Sequence, residues 1–169
     1  MLNLLFNPQG RITAKPFWTG YFILLVVGLV LSVAAVYGPR SVALSLLFSA
    51  LSIALIYPMV CVFVKRFHDA GKSGWWFLAI IGVSLLVNMI AGAVLMAPHA
   101  SEWASLELGS PEWAEAQVNA SKAIFLPSQV IGLVVGLAIA YVVSNLKSDP
   151  NENIYGPPPG DAGTAQQFD

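Results

Sequence analysis

Long runs of uncharged, mostly apolar residues divide this chain into four segments. The runs occupy residues 16–39, 41–64, 73–101 and 123–146, and the Lys, Arg, Asp and Glu side chains are confined to the stretches between and beyond them. A membrane-spanning helix needs about 20 predominantly apolar residues, because the hydrocarbon core of a bilayer is roughly 30 Å thick. Each run is long enough. The pattern therefore predicts an all-α, polytopic membrane protein.

The four transmembrane helices are expected at about 17–38, 42–64, 75–97 and 124–146. Residues 1–146 then form a single four-helix transmembrane domain, in which 98–123 is an acidic external loop. Residues 147–169 form a Pro/Gly-rich cytoplasmic tail that is predicted to be extended or disordered, since it lacks the apolar residues to bury a core. Its three consecutive prolines at 157–159 suit either a proline-reading domain or a stiff exit from the membrane, and we favour the second interpretation.

The composition agrees with a membrane-embedded chain. Hydrophobic residues make up 57% of it, charged residues 10%, and the mean hydropathy is +0.72. The chain has no basic surface of the kind that nucleic acids require, so no nucleic-acid partner is predicted. The one cysteine, Cys61, lies in the second run and is interpreted as a small buried residue without a disulfide partner in the chain.

The distribution of Lys and Arg predicts the orientation, because cytoplasmic loops carry an excess of these residues. Arg40 and Lys122 fall on one side of the predicted membrane. The others fall on the opposite side: Arg11, Lys15, Lys65, Arg66, Lys72 and Lys147. Both termini are therefore predicted to be cytoplasmic, in a multi-pass protein of the bacterial inner membrane.

The external loop contains its own helix signal and an acidic surface. Ser110 followed by Pro111 is typical of a helix start, so a short helix is expected within the loop. The loop also holds Glu102, Glu107, Glu112 and Glu115. These glutamates lack the compact spacing of a calcium-binding loop, which favours a solvated acidic surface over a divalent-cation site.

Within the spans, polar chemistry is sparse. Asn88 and Gln129 are the strongly polar side chains, and no Asp, Glu, Lys, Arg or His lies at mid-membrane depth. This argues against a proton- or ion-coupled transporter, which usually needs such a residue, but leaves an oligomeric pore open. Gly132 and Gly136 form a small-xxx-small face that would suit a homo-oligomer. Pro58 is expected to bend the second span.

Residues 65–76 hold the densest group of charged and polar side chains. If the second span continues helically to about residue 70, Asp69 pairs with Lys65 at i,i+4 or with Arg66 at i,i+3. Gly71 suits the left-handed position that follows a helix end. Arg11, near the start of the first span, lies at the same interface and is expected to reach Asp69.

Two catalytic interpretations of this loop fail. Gly71-Lys72-Ser73 resembles the end of a phosphate-binding P-loop, but the first glycine of that motif would fall at Arg66, and an apolar helix precedes the segment. His68-Asp69 resembles a metal-dependent phosphohydrolase pair, but the other histidine, His99, lies on the predicted opposite side. We therefore predict no enzyme, no metal and no cofactor.

Three interpretations of the cluster remain. It is a topology determinant with a rigid turn, a site for an anionic lipid headgroup, or a protein-docking surface. A phospholipid or polyprenyl phosphate would receive a bidentate contact from Arg66 and point charges from Lys65 and Lys72. The residues proposed for this structural or headgroup-binding cluster are Arg11, Lys65, Arg66, His68, Asp69 and Lys72.

Three motifs resemble those of a known family. The first runs from Gly10-Arg11-Ile12-Thr13 to Phe17-Trp18. The second spans residues 66–76, RFHDAGKSGWW, and the third spans 153–159, NIYGPPP. In this order they are similar to the YhaH/YhaI-like family of small bacterial inner-membrane proteins of unknown function. The resemblance implies a helical inner-membrane protein with no assigned activity.

The sequence thus favours a non-enzymatic inner-membrane component. Its cytoplasmic-face cluster is expected to serve structure or headgroup binding. The alternatives are a small channel or transporter subunit that assembles through Gly132 and Gly136, and an adaptor for a cytoplasmic partner that uses the loop and the tail.

Overall fold

The computed structural model describes residues 1–39 and 41–160, and within them the regular structure is helical. Arg40, one of the two cations assigned to the external side, lies outside the described residues, as do positions 161–169 of the predicted tail. The helices, in chain order, are α1 (Leu2–Phe6), α2 (Ala14–Tyr37), α3 (Val42–Ala54), α4 (Ile56–Asp69), α5 (Trp76–Met96), α6 (Ala100–Ala104) and α7 (Pro111–Ser144).

Four helical stretches are long and apolar enough to cross a membrane. They are Ala14–Tyr37, Val42–Asp69, Trp76–Ala104 and Pro111–Ser144. Each contains most or all of one predicted span, so the predicted fold class of four transmembrane helices is confirmed. The protein is therefore a multi-pass membrane protein.

The second span breaks where the sequence places a proline. α3 ends at Ala54 and α4 begins at Ile56. Pro58 has no N–H to donate to the carbonyl of Ala54, four residues earlier, and its ring crowds that carbonyl. The helix is therefore interrupted at Leu55, next to the carbonyl that Pro58 leaves without a donor, which is where the sequence predicts a bend.

The fourth helix begins earlier than predicted. It starts at Pro111, with the Ser110 hydroxyl accepting from the Trp113 N–H at 3.1 Å, and continues without interruption to Ser144. The predicted cap is therefore correct, but the helix that it starts is not a separate short one. Pro127 lies inside α7 without ending it. Much of the predicted external loop is thus an extension of the fourth span.

Most of the buried apolar core lies at one end of the bundle. Phe63 on α4 packs edge-on against Phe17 of α2, with ring centroids 5.0 Å apart, and lies 5.3 Å from Phe77 of α5. Gly20 allows α2 to approach α4 closely, since a Cβ there would lie 2.9 Å from Val62. By contrast, none of the described residues of α3 is buried. The helices therefore pack tightly at this end and expose most of their remaining length.

The small residues of α7 face the interior of the same chain. A Cβ on Gly136 would lie 2.6 Å from the Tyr21 hydroxyl of α2, and one on Gly132 would lie 3.9 Å from the Asn88 side chain of α5. Ala140 is fully buried. The predicted small-xxx-small face thus accommodates α2 and α5 within one chain, which accounts for these residues without a second copy.

The first part of the tail does not extend away from the bundle. Residues Asn153 and Gly156 form an antiparallel bridge, joined by backbone hydrogen bonds of 3.2 and 2.9 Å. The Asp149 N–H donates to the carbonyl of Asp69 at 2.8 Å. Residues 148–156 are therefore hydrogen-bonded to the bundle, contrary to the extended or disordered conformation predicted for this part of the tail.

Candidate functional site

The carboxylate of Asp69 is the centre of a buried polar cluster. This residue is the last of α4 and is 0% exposed. One oxygen, Oδ1, accepts from Arg11 Nε at 3.3 Å; the other, Oδ2, accepts from Arg66 Nη1 and from the Ser148 hydroxyl, both at 2.5 Å. Three segments that are distant in sequence therefore meet at one carboxylate.

Arg11 connects α4 to the tail. Its guanidinium makes five hydrogen bonds, two of them to the side chain and backbone of Asp69. The others go to backbone carbonyls of the tail, those of Asp149, Asn151 (2.8 Å) and Gly156 (3.2 Å). Arg11 is only 2% exposed. A guanidinium has five N–H donors, so protein acceptors fill its capacity.

Arg66 holds the end of α7. Its Nη2 donates to the carbonyl of Ser144 at 2.9 Å and to the carbonyl of Leu146, while its Nη1 bonds Asp69. The last carbonyls of a helix have no intrahelical donor and carry partial negative charge, so a cation there is favourable. Arg66 therefore couples the ends of two helices through one side chain.

A sharp helix end places these groups. The Lys72 N–H donates to the carbonyl of Phe67 at 2.8 Å, and the Gly71 N–H to that of His68 at 3.0 Å. Gly71 has φ of 66°, the left-handed conformation that a glycine adopts without strain. These two bonds form a Schellman motif, as the sequence indicated for Gly71.

His68 takes part in the cluster through stacking. Its ring lies parallel to the Tyr155 ring, with centroids 3.7 Å apart and an interplanar angle of 3°. Its Nδ1 is 3.3 Å from the carbonyl of Gly10, and its own carbonyl accepts from Asn153 Nδ2 at 3.1 Å. The imidazole thus joins the N-terminal segment and the tail, and it faces no second histidine.

Lys65 lies outside this network and binds the N-terminal helix instead. Its Nζ donates to the carbonyls of Asn3 at 2.8 Å and Leu4 at 2.6 Å. The expected i,i+4 pair of Lys65 with Asp69 is wrong, because the ammonium reaches these two carbonyls while both arginines occupy the carboxylate. α1 is also held by Phe6, whose carbonyl accepts from the Tyr57 hydroxyl at 3.0 Å.

Replacing Lys65 by methionine is expected to release α1. The methionine fills similar space but cannot donate to the carbonyls of Asn3 and Leu4, each of which is costly to leave unpaired in an apolar setting. Hydrogen–deuterium exchange of the peptide covering residues 2–6 should accelerate at least about tenfold, the effect of losing about 1.4 kcal/mol of local stability. Lys72→Met is the control. Equal protection of α1 in both variants would show that these bonds do not hold it.

Lys72, like Lys65, is a predicted cluster member that the structure places outside the cluster. Its side chain is exposed and makes no contact with Asp69. Lys15 and Lys147 are also exposed and flank the cluster in sequence. The cluster end of the bundle, which we define as the end that contains Asp69, therefore presents three solvent-facing cations around a buried ionic core.

The arrangement is suited to fixing structure. The oxygens of Asp69 and the donors of Arg11 are occupied by protein groups, and Arg66 Nε is the one guanidinium nitrogen of the pair without a protein partner. Within residues 1–39 and 41–160, no three His, Cys, Asp or Glu side chains come together as a possible metal site. Apart from Arg66 Nε, the donors and acceptors of Asp69, Arg11 and Arg66 are thus bonded to the protein itself.

Sequence reasoning identified one half of this site and missed the other. Arg11, Arg66, His68 and Asp69 meet as proposed. Their partners in the tail were missed: Ser148, Asp149, Asn151, Asn153, Tyr155 and Gly156. The one available signal was the motif at 153–159, which stands out from an otherwise featureless tail.

A family model matches most of the chain. The model described as "Protein of unknown function (DUF805)" covers residues 5–157, which include the N-terminal segment, the loop after α4 and the tail turn. The chain therefore belongs to this family, and the predicted resemblance to small membrane proteins of unknown function is confirmed at that level. No curated protein and no solved structure matches the chain.

Proposed function

From its membership of the DUF805 family, we propose that this protein is a non-enzymatic component of the bacterial inner membrane with both termini in the cytoplasm. The cluster around Asp69 acts as a structural lock between the N-terminal segment, α4 and the tail. Lys15, Lys72 and Lys147 contact anionic lipid headgroups around it. The function is thus a preorganised basic surface at the inner face of the membrane.

One observation carries this assignment of roles. Both arginines are 2% exposed and bound to Asp69 and to backbone carbonyls. A headgroup would have to displace these partners, which costs more than a contact with a free lysine. The sequence assigned the headgroup contacts to Arg66, Lys65 and Lys72. We now assign them to the exposed lysines, which are Lys15, Lys72 and Lys147.

The Lys, Arg and Trp residues at the cluster end of the bundle support the proposal that both termini lie in the cytoplasm. The N-terminal segment and the tail meet through Arg11, so both lie at the same end of the bundle. That end carries most of the Lys and Arg residues, the usual property of a cytoplasmic face. Trp75 and Trp76 are exposed there, at the start of α5, where aromatic side chains anchor helices at an interface.

Native mass spectrometry of the protein in nanodiscs that contain phosphatidylglycerol tests the lipid contact. Lys72→Gln is expected to reduce the retained phosphatidylglycerol about fivefold, since one lysine near an anionic surface contributes about 1 kcal/mol. Lys122→Gln on α7, an exposed lysine at the other end of the chain's last span, is the matched control and should change retention less than twofold. Equal losses from both variants would contradict the proposal.

Orientation is tested separately by fusing a green fluorescent protein to the C-terminus. The fusion folds in the cytoplasm of bacteria and is expected to fluoresce. A dark fusion, together with activity of an alkaline phosphatase fused at the same place, would overturn the cytoplasmic assignment.

A further inference from the structure

A cavity of about 540 Å³ lies between α2, the α3–α4 break, α5 and α7, on the membrane side of the tightly packed end. Its volume is within the range of small-molecule pockets, about 300–1,000 Å³. Four walls, one from each span, surround it. The residues that matter for its chemistry are Tyr21, Gly28, Ile56, Ser84, Leu85, Asn88 and Gly136.

The sequence leaves this space open for identifiable reasons. Gly28 and Gly136 present no side chain to it, and an added Cβ at Gly28 would meet nothing within 4 Å. The helix break near Pro58 puts Leu55 at the cavity wall, at the point where α3 ends and α4 begins. α4 and α5 are in contact at Phe63 and Phe77, and the cavity lies one to two helical turns from this contact, towards Ile56 and Leu85.

The cavity wall carries polar atoms that have no hydrogen-bond partner among the described residues, and two of them are the Tyr21 hydroxyl and the Asn88 side-chain oxygen. Tyr21 is 6% exposed, yet its hydroxyl lies over Gly136 and makes no hydrogen bond with any other described residue. Asn88, which is exposed, donates through Nδ2 to the carbonyl of Ser84 at 2.7 Å, and no described residue donates to its Oδ1. An unsatisfied polar group at membrane depth costs several kcal/mol in hydrocarbon.

The bilayer has lateral access to this space. Ile56 on α4 and Leu85 on α5 both line the cavity, and they are 50% and 65% exposed. A side chain that lines a cavity and is also exposed lies at its rim. The opening therefore faces the lipid between these two helices rather than an aqueous surface.

We propose that this cavity binds a neutral amphiphile from the bilayer, a hydrocarbon chain that carries one uncharged hydroxyl or carbonyl group. The aliphatic walls accommodate the chain, and the Tyr21 hydroxyl and the Asn88 amide oxygen bond the polar group. The ligand is neutral because no Asp, Glu, Lys, Arg or His lines the cavity, and a charge at this depth would have no counter-ion. The site is independent of the lysines proposed to contact headgroups.

Photo-cross-linking with a long-chain alcohol that carries a diazirine tests the proposal in the full-length protein. Wild type is expected to be labelled on peptides of the cavity wall, and competition by the unmodified alcohol should suppress the labelling. Gly28→Leu fills the cavity and is expected to reduce labelling at least tenfold. Gly82→Leu is the matched control, because an added Cβ at Gly82 also meets nothing within 4 Å but Gly82 does not line the cavity.

Two further variants test the contribution of the hydrogen bonds to ligand binding without filling the cavity. Tyr21→Phe and Asn88→Leu are each expected to weaken binding about fivefold, the effect of one lost hydrogen bond. A diazirine-bearing fatty acid, which is charged, should label the same peptides much less than the alcohol. If Gly28→Leu and Gly82→Leu are labelled equally, or if Tyr21→Phe and Asn88→Leu both bind like wild type, the proposed site is wrong.

Discussion

Replacing Asp69 by asparagine is expected to lower the free energy of unfolding by about 3–5 kcal/mol, the cost of removing one partner from a buried ion pair. The side chain keeps its size, so the loss comes from charge. Arg11 and Arg66 would remain buried next to each other with no carboxylate between them. Unfolding in mixed detergent micelles, followed by circular dichroism, measures the change.

The matched control for this substitution is Glu115→Gln, which removes one carboxylate charge from an exposed position on α7. It is expected to change stability by less than about 0.5 kcal/mol. The double variant Asp69→Asn with Arg66→Met should be more stable than Asp69→Asn alone, since it removes one of the two uncompensated cations. A loss below about 1 kcal/mol in Asp69→Asn would contradict the role of Asp69 as the centre of the lock.

Ending the chain after Lys147 is expected to lower the free energy of unfolding by about 2–4 kcal/mol, because hydrogen bonds to charged groups contribute about 1.5–3 kcal/mol each and water replaces some of them. Arg11 would lose the carbonyls of Asp149, Asn151 and Gly156. Asp69 would also lose the Ser148 hydroxyl. The same unfolding measurement applies.

A chain that ends after Gly160 is the control, since it retains every tail contact described above. Its stability is expected to match that of the full chain. If both truncated chains are as stable as the full one, the tail is not part of the lock. If both are equally destabilised, the stabilising contribution comes from residues after Gly160 and the described tail contacts are not part of the lock.

Helical spans and local backbone signals could be predicted because they depend on residues close in sequence. The position of α2 follows from its uncharged run, and the break before Ile56 follows from Pro58, since a proline acts on the carbonyl four residues earlier. Gly71 ends α4 in the left-handed conformation, as expected of a glycine after a helix. The length of α7 was not predicted, because charged residues at 112–122 suggested a loop although they are compatible with a helix that leaves the membrane.

The polar cluster was only half predictable because its two halves differ in what the sequence reveals. Arg66 and Asp69 are three residues apart on one helix, so their pairing follows from helical geometry. The tail contributes mainly backbone carbonyls, such as those of Asn151 and Gly156. Every residue has a carbonyl, so no side-chain pattern marks the ones that will be used.

The sequence alone thus determined that this protein has four membrane-spanning helical stretches, that the second is interrupted near Pro58 and ends before Gly71, and which charged residues of the cluster lie near the same surface. Only the tertiary structure decided which charges are buried: Arg11 and Arg66 are enclosed with Asp69, whereas Lys72 remains exposed. It also decided that the tail folds back and that a cavity forms beside Tyr21. The physical reason is that burial depends on neighbours distant in sequence, and a pattern of hydrophobic and polar positions does not specify those neighbours.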